Sequence, residues 1–356
     1  MAYTLKNKFR RISISVYHSL KIDKLFVTID IGSFKKKKQE AYNCFLSDKE
    51  KNDNQFIRKI DKDIKSCYLK YLTNPQEYFL FDFISNKEEI YRSSFLSDNM
   101  KIRRLIKVTG EKKFTEELTD KVGFYNLTKS YFKREVFEFS NNTTYDVFSQ
   151  FALKTRHLFA KLIASSFGSG AISVDVIDDI TCENIYNRLK KTGKSWIVEE
   201  RIIQHPEMAQ WNKSSVNTVR IPSFLCNGDF EIVQPVMRFG RAGSIVNNAG
   251  GGGIISCIDV DSGKLTTDGR SENGMCYKTH PDSKISFKGW QLPEWNNLKI
   301  LVEEIHRNVL SSHRYIGWDF AYTEKGWVLI EGNWGQFLNQ YVNHVGVKQK
   351  FIKYMK

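Results

Sequence analysis

Two carboxylates and an amide near the end of the chain are spaced as ligands for a hard metal ion. They lie in Gly317–Asn333, where two runs rich in aromatic and aliphatic residues flank the polar Glu324–Gly326. This pattern predicts two antiparallel strands joined by a three-residue loop, with its glycine in the left-handed conformation. That register places Asp319 opposite Glu331. Asn333 follows two residues later on the same face, because strand side chains alternate.

The opposed carboxylates indicate a cation. Like charges directly across a strand pair repel each other and destabilise a sheet, unless a positive ion lies between them. Three oxygen-bearing side chains suit Mg²⁺, which keeps water ligands and takes others from phosphate. The alternative is a solvated polar face of an ordinary hairpin.

An Asp, a Glu twelve positions later and then x-Asn resemble the metal-binding signature of the ATP-grasp enzymes. The wider sequence is similar to the branch associated with sugar transfer and polysaccharide biosynthesis over about residues 115 to 350. The motifs that carry this similarity are Ser215–Ile221, Arg238–Arg241, Asn247–Gly253 and Gly317–Asp319. The resemblance implies an α+β fold in which two α+β subdomains grip ATP. It also implies two Mg²⁺ ions on the ATP phosphates, which Mn²⁺ could replace.

The resemblance also implies a domain organisation. Residues 1–114 would form a basic, mainly helical region, and residues 115–205 a small subdomain with a phosphate flap and a hinge. Residues 206–356 would form the large subdomain with the metal site. A chain of 356 residues is long enough for several subdomains, and 41% hydrophobic residues exclude general disorder.

Composition indicates a cytoplasmic enzyme. No apolar run approaches the length of a membrane span, and the first residues lack the apolar core of a signal peptide. Six scattered cysteines without a C-x-x-C pair argue against a zinc site or a disulfide framework. Such cysteine usage fits a reducing compartment.

The resemblance assigns phosphate-binding roles to two lysines and a loop. Lys121 begins a predicted helix, where the family often places its first ATP lysine. Lys161 ends a predicted strand before a Ser/Gly loop that includes Ser169 and Gly170, which resembles the flap over the phosphates. Small residues let backbone N–H groups approach phosphate oxygens, and a lysine adds a point charge. Asp-Lys pairs on surface helices and Ser/Gly hairpin loops are also common, and the proline that often follows the second lysine is missing.

The segment Trp196–Gln204 resembles the family hinge, where backbone groups bind adenine and an acidic side chain holds the ribose. Glu199 and Glu200 are both candidates for the acidic residue, and Ile202 for the backbone contact. The sequence does not choose between hinge registers. An acidic pair in water at a strand end is the alternative.

Three arginines on neighbouring predicted strands, Arg220, Arg238 and Arg241, are expected to converge on phosphate or a substrate carboxylate. The planar guanidinium fork suits both groups. A single strand arginine is more often a surface ion-pair partner. The run Asn247–Gly253 is a candidate ligand-binding loop, or a plain turn.

The N-terminal third is basic. Residues 1–110 hold 23 Lys and Arg against 13 Asp and Glu, a net of +10 out of +14 for the chain, with a dense run at Lys35–Lys38. An anionic membrane surface at the inner side of the membrane, a charged glycan or nucleotide substrate, and nucleic acid are the candidate partners, with nucleic acid ranked last. A solvated helix face is the alternative for the lysine run. Apolar spacing and proline breaks predict helices over 54–72, 75–83 and 87–95.

These features predict a carboxylate–amine ligase, with a thiol in place of the amine as an alternative. ATP would phosphorylate a substrate carboxylate, and an amine would displace the phosphate. By analogy with the sugar-associated branch, the carboxylate is expected on a uronic acid or glycan of a bacterial surface polysaccharide, and the amine on an amino acid. A kinase acting on a hydroxyl acceptor and a non-catalytic adaptor that binds glycan or membrane remain alternatives.

Overall fold

The computed structural model describes residues 13–15, 26–28, 31–100, 117–163, 170–244, 253–334 and 339–355. The chain divides into two compact units. The first contains Met1–Leu105 and His344–Tyr354, and the second contains Ile106–Asn343. The last helix therefore groups with the N-terminal unit rather than with residues 206–343. The predicted division of the core into residues 115–205 and 206–356 stays a prediction.

The helices of the described residues are α1 (Ile31–Phe45), α2 (Asp48–Asn52), α3 (Asn54–Tyr71), α4 (Pro75–Leu80), α5 (Glu89–Ser94), α6 (Lys121–Phe132), α7 (Tyr145–Thr155), α8 (Asp179–Lys191), α9 (Pro206–Ala209), α10 (Trp295–Asn308), α11 (Gln340–Asn343) and α12 (Lys348–Tyr354). The strands are β1 (Ser13–Ser15), β2 (Phe26–Thr28), β3 (Val136–Phe139), β4 (His157–Leu162), β5 (Ile172–Asp175), β6 (Trp196–Glu200), β7 (Thr218–Cys226), β8 (Asp229–Ile232), β9 (Val236–Phe239), β10 (Ile254–Cys257), β11 (Gly269–Arg270), β12 (Cys276–Tyr277), β13 (Tyr315–Thr323) and β14 (Gly326–Asn333).

The first unit is mainly helical, with an additional antiparallel pair of short strands, β1 and β2, that the sequence pattern did not predict. Helix α3 buries the predicted apolar stripe, including Ile60 and Ile64, and begins where Asp53 accepts two backbone N–H bonds. Helix α4 begins at Pro75 after the capping residue Asn74. The three predicted helices are thus confirmed, and α4 and α5 are shorter than predicted. Within the described residues, no helix is long and apolar enough to cross a membrane.

The smaller sheet of the second unit has the antiparallel order β3-β6-β4-β5 in the described part of the chain. One face packs on α7 and α8 through a hydrophobic core that includes Ala160 and Val198. Because strand side chains alternate, the next residue on each strand, Lys161 and Glu199, faces the other way. The sheet therefore presents charged groups on the face opposite its core.

The larger sheet has the order β12-β11-β10-β9-β7-β13-β14 among the described residues, and β8 pairs with the second half of β7. Val219, Met237 and Trp318 point into a core that is closed by α10 and α6. Their neighbours Arg220, Arg238 and Asp319 alternate to the opposite face. Lys161 and Glu199 on the small sheet, and Arg220, Arg238 and Asp319 on the large sheet, thus lie on the faces opposite the two hydrophobic cores.

Candidate active site

The hairpin of β13 and β14 brings Asp319 and Glu331 into register, as predicted. Asn333 lies on the same face, and its Nδ2 donates a hydrogen bond of 3.1 Å to Glu331 Oε1. The turn that produces this register differs from the predicted three-residue loop. Only Glu324 and Lys325 separate the paired residues at the turn, and a bulge beside Asp319 supplies the extra residue.

A guanidinium group lies beside the two carboxylates. Arg220 is paired with Asp319 across β7 and β13, and its Nε donates a hydrogen bond of 2.7 Å to Asp319 Oδ1. Its Nη2 lies 4.0 Å from Glu331 Oε1. The guanidinium of Arg220 therefore offsets part of the repulsion between the two carboxylates. The assignment of Asp319, Glu331 and Asn333 as metal ligands stays a prediction.

Arg238 forms the second side of this cluster, with Nη1 at 3.4 Å from Asp319 Oδ2. Burial by itself would raise the pKa of Asp319, but the charges of Arg220 and then Arg238 hold that pKa below its ordinary value. Burial, and next the charge of Arg220, lower the pKa of Arg238. Two arginines thus share one buried carboxylate.

Arg241 is placed differently from the other two arginines. Its Nε lies 2.9 Å from Asp282 Oδ2 and its Nη2 lies 3.1 Å from Asp282 Oδ1. Arg220 and Arg238 therefore meet at Asp319, whereas Arg241 pairs with Asp282, and the role of the three arginines at a phosphate or substrate carboxylate stays a prediction. Arg241 follows the end of β9, where the strand pattern that aligns Arg238 no longer applies.

The small sheet carries a buried triad of charges. Lys161 Nζ lies 2.5 Å from Glu199 Oε1, and Arg134 Nε donates a hydrogen bond of 2.8 Å to the other carboxylate oxygen. Burial by itself would raise the pKa of Glu199, yet the charges of Arg134 and Lys161 lower it to about 2. Arg134 also donates from Nη1 to the backbone oxygen of Leu329 at 2.6 Å, which joins the triad to β14. Sequence reasoning missed Arg134, since a Lys-Arg pair after a helix carries no specific signal.

Lys121 is the first residue of α6, and its side chain reaches the end of β4. Its Nζ donates to the backbone oxygens of Leu162 and Ile163 at 2.7 and 3.0 Å. Its pKa is lowered, first by burial and then by the charge of Lys161, while Glu331 acts in the opposite direction. The two lysines are therefore electrostatic neighbours of each other and of the hairpin carboxylate. The structure assembles the predicted phosphate lysines and the predicted metal ligands into one charged region.

The hinge candidates separate into different environments. Glu199 is buried and already holds Lys161 and Arg134, which leaves Glu200 as the more accessible acidic residue at the strand end. In the described part of the chain, the backbone hydrogen bonds of the loops and turns do not include Ile202. Gly170 has φ +79°, the left-handed conformation expected for a glycine loop. Ser169, and the glycine run apart from Gly253, lie outside the described residues.

The donor set fits Mg²⁺. Asp319, Glu331 and Asn333 offer hard oxygens on one face of a rigid hairpin, the ligand chemistry that this ion prefers. Within the described residues, no group of three or more His, Cys, Asp or Glu is placed to hold a metal. An ion at this hairpin would therefore need oxygens from a ligand such as phosphate.

The model of the sugar-transfer-associated ATP-grasp family matches residues 169–354, which is more than half of the chain. The chain belongs to this family. Members of the ATP-grasp family bind ATP, usually with Mg²⁺. The matched region includes the hairpin, both arginines of its cluster and the hinge, and the α+β ATP-grasp fold predicted from sequence is confirmed.

Solved structures resemble this ATP-grasp chain only distantly. D-alanyl-alanine synthetase A from Vibrio cholerae has 12% identity and a TM-score of 0.41, with 67% of this chain and 66% of that chain covered. D-alanine–D-alanine ligase from Bacillus anthracis, complexed with ATP, has 11% identity and a TM-score of 0.41 at the same coverage of 67% and 66%. The D-alanine–D-alanine ligase from Coxiella burnetii has 10% identity and a TM-score of 0.36, with 61% and 48% covered. The chain thus spans less than two thirds of each of these proteins. No curated protein matches it.

Proposed function

We propose that this protein is an ATP-dependent carboxylate–amine ligase that forms a C–N bond through an acyl phosphate and releases ADP. The proposed reaction attaches an amino acid or another amine to a carboxylated sugar, such as a uronic acid, during synthesis of a bacterial surface polysaccharide such as a capsule. The observation that carries the proposal is the opposition of Asp319 and Glu331 across one hairpin, with lysines on one side and arginines on the other.

The hairpin is the proposed metal site. Asp319, Glu331 and Asn333 would hold Mg²⁺, with two ions expected and Mn²⁺ able to substitute. When bound, these ions neutralise phosphate oxygens and so favour phosphoryl transfer.

The basic side chains supply the remaining positive charge. The ammonium group of Lys121 on α6 and the side chain of Lys161 both lie near the end of β4, where they can hold the phosphates of ATP. Glu199 and Arg134 fix the ammonium group of Lys161, so that its charge is positioned before the nucleotide arrives. We assign the adenine end of the nucleotide to the hinge, with Ile202 for the base and Glu200 for the ribose.

The proposed reaction has two steps. A carboxylate oxygen of the sugar acid attacks the terminal phosphorus of ATP, the bond to the bridging oxygen breaks, and ADP leaves with the electron pair. The amine nitrogen then attacks the acyl carbon, the C–O bond to the phosphate breaks, and inorganic phosphate leaves. Arg220 and Arg238 present planar donors that suit the charged oxygens of both transition states. No serine, cysteine or histidine nucleophile is required.

Hydroxylamine trapping tests this proposal. The protein would be incubated with ATP, Mg²⁺, glucuronate or galacturonate in free and UDP-linked form, and hydroxylamine. An acyl phosphate gives a hydroxamate with release of ADP, whereas a kinase gives a stable phosphate ester. Formation of the ester, or the absence of any hydroxamate, would contradict the proposal.

A matched pair of variants tests the metal assignment within the same assay. Glu331→Gln keeps the size of the side chain and removes the charge, and it is expected to lower hydroxamate formation by at least about 100-fold. Glu324→Gln changes an exposed carboxylate in the turn of the same hairpin and should leave the rate unchanged. Full activity of Glu331→Gln would remove the metal assignment.

We also propose that the basic first unit recruits a polyanionic acceptor, either a uronic-acid glycan or its lipid-linked form at an anionic membrane surface. Lys35 and Lys37 are exposed on α1, whereas Lys38 is engaged by Asp61 at 2.5 Å. Lys38 is therefore less available to a polyanion than Lys35 and Lys37. Positive charge in this unit attracts polyanions over a Debye length of about 8 Å near physiological salt.

A further inference from the structure

The segment that follows the small sheet is held at both of its ends by backbone hydrogen bonds. On one side, the N–H of Arg201 donates to the carbonyl oxygen of His157 on β4 at 2.8 Å. On the other side, the N–H of His205 donates to the carbonyl oxygen of Tyr322 on β13, also at 2.8 Å. Three residues lie between these contacts, and the first of them is Ile202, which is assigned above to the base of the nucleotide.

The side chain of Gln204 adds a third attachment, and this attachment uses both ends of its amide group. Its Nε2 donates to the backbone oxygens of Asn212 and Ser215 at 2.7 and 3.0 Å. Its Oε1 accepts from the backbone N–H and from Nδ2 of Asn217 at 3.1 and 2.9 Å. A backbone oxygen can only accept and a backbone N–H can only donate, so these contacts fix the orientation of the amide. Gln204 is therefore held in one position on the loop of residues 212–217.

Asn217 connects this loop to the strands that carry the arginines. Its side chain is fully buried, and its Oδ1 accepts from the backbone N–H of Gly240 at 3.3 Å. Asn217 comes three residues before Arg220 on β7. Gly240 comes two residues after Arg238 on β9. The amide of Asn217 therefore joins both arginine strands to the hinge.

Close packing holds this connection in place. A side-chain carbon added at Gly240 would lie 1.8 Å from Ser215 Oγ and 2.4 Å from Asn212 Nδ2, far inside a van der Waals contact. These two groups also hydrogen-bond to each other at 2.7 Å. A residue without a side chain is therefore required for β9 and the loop of residues 212–217 to approach this closely. The loop that anchors Gln204 is thus fixed to the large sheet.

We propose that Gln204 is a positioning residue that holds the nucleotide hinge at a fixed place relative to Arg220 and Arg238. The backbone of Ile202 is attached to the small sheet on one side and, through Gln204, to the arginine strands on the other. A nucleotide whose base binds this segment therefore has its terminal phosphate aligned with the arginines before the reaction begins. In this role Gln204 acts through the backbone that it fixes and does not contact the nucleotide. The inference rests on the proposed ligase function, because it takes the hinge as the adenine site.

Loss of this attachment is expected to affect the base of a nucleotide more than its phosphates. Adenine presents an amino donor where guanine presents an oxygen acceptor. Backbone groups held in one orientation match one of these edges and leave polar groups unpaired against the other, so they discriminate between the two bases. A hinge that is free to shift fits adenine less well and discriminates less. The preference for adenine over guanine therefore reports the position of the hinge.

Calorimetric titration of nucleotide analogues tests this role. Non-hydrolysable analogues of ATP and GTP would be titrated into the full chain with Mg²⁺, and wild type is expected to bind the ATP analogue at least about tenfold more tightly. Gln204→Met keeps the length of the side chain and removes the hydrogen bonds of its amide. It should weaken binding of the ATP analogue about tenfold and leave binding of the GTP analogue within about twofold. Gln210→Met, at an exposed glutamine directly after α9, is the matched control and should alter neither affinity.

A second variant, Gln204→Glu, keeps the test decisive if Gln204→Met does not fold. It keeps the shape of the side chain and the acceptor for Asn217 but loses the donor to two backbone oxygens, so its affinity for the ATP analogue should fall by about threefold. Each titration would be made below the onset of thermal unfolding of the variant. Equal loss of affinity for both analogues, or unchanged affinity for the ATP analogue, would overturn the positioning role. A wild type without a preference for adenine would overturn it as well.

Hydroxylamine trapping distinguishes failure of this inference from failure of the proposed function. Adenine-selective binding that weakens in Gln204→Met, without any hydroxamate from wild type, contradicts the ligase reaction and supports the positioning role. Hydroxamate formation by wild type, with unaltered nucleotide selectivity in Gln204→Met, contradicts the positioning role alone. The absence of Mg²⁺-dependent nucleotide binding in wild type contradicts both.

Discussion

Asp319→Asn should destabilise the protein by an amount that follows from its buried neighbours. The Asp319 side chain is 5% exposed and accepts two hydrogen bonds from Arg220, whose side chain is 8% exposed. Losing one partner of a buried ion pair costs about 3 to 5 kcal/mol, because the remaining charge is left uncompensated. Glu331, at 4.0 Å from Arg220, supplies part of the missing negative charge. We therefore expect a loss near the lower limit, about 3 kcal/mol.

Urea unfolding at pH 7, followed by tryptophan fluorescence, measures this loss. Thermal unfolding is a second readout, because for a unit of this size about 3 kcal/mol corresponds to a decrease of roughly 6 to 12 °C in the melting temperature. Asp282→Asn is the matched control, because its pair with Arg241 is more exposed and should contribute at most about 1 kcal/mol. The double variant Asp319→Asn/Arg220→Met removes both charges and should be more stable than Asp319→Asn alone.

The dependence on pH provides a second measurement of the same pair. Because the pKa of Asp319 is lowered in the folded state, its contribution is complete above the ordinary value near 3.8 and is lost as the pH falls through the lowered one. The difference between wild type and Asp319→Asn should therefore shrink below about pH 4. A difference under about 0.5 kcal/mol at pH 7, or a double variant less stable than the single one, would refute the ion-pair reasoning.

Three further predictions concern other parts of the chain. Lys161→Ala should weaken ATP binding by at least about tenfold, because a positioned charge is lost; unchanged nucleotide affinity and rate would place Lys161 outside the phosphate site. Burial lowers the pKa of His306 to about 4 from an ordinary 6.5, so its share of stability is complete above pH 6.5 and decreases toward pH 4 by up to about 1.4 kcal/mol per pH unit. His306→Gln should make unfolding less dependent on pH in that range, and an unaltered slope would contradict this. Replacing Lys35 and Lys37 by Gln should raise the KM for a polyanionic acceptor at low salt and leave the KM for ATP unchanged, whereas equal KM values for the acceptor would favour a solvated helix face.

The sequence alone was sufficient for features that depend on neighbouring residues. The opposition of Asp319 and Glu331 follows from strand alternation over a short hairpin, and it was correct although the turn is shorter than expected and a bulge compensates. Helix α3 was predicted from the spacing of its apolar residues, because a continuous stripe needs burial on one side. A short loop leaves few ways for the two strands that it joins to pair. The residue pattern alone therefore predicts which residues lie opposite each other.

Contacts between distant parts of the chain were decided by the tertiary structure. Arg220 and Asp319 are 99 residues apart, and Arg134 and Glu199 are 65 residues apart. Their pairing depends on the order and register of whole strands, which the packing of the cores determines rather than any local pattern. The same cause placed Arg241 on Asp282. The sequence indicates which side chains carry charge, but the strands that become neighbours determine the partner of each charge. That partner matters because the energy of burying a charge depends on the groups within a few ångströms of it.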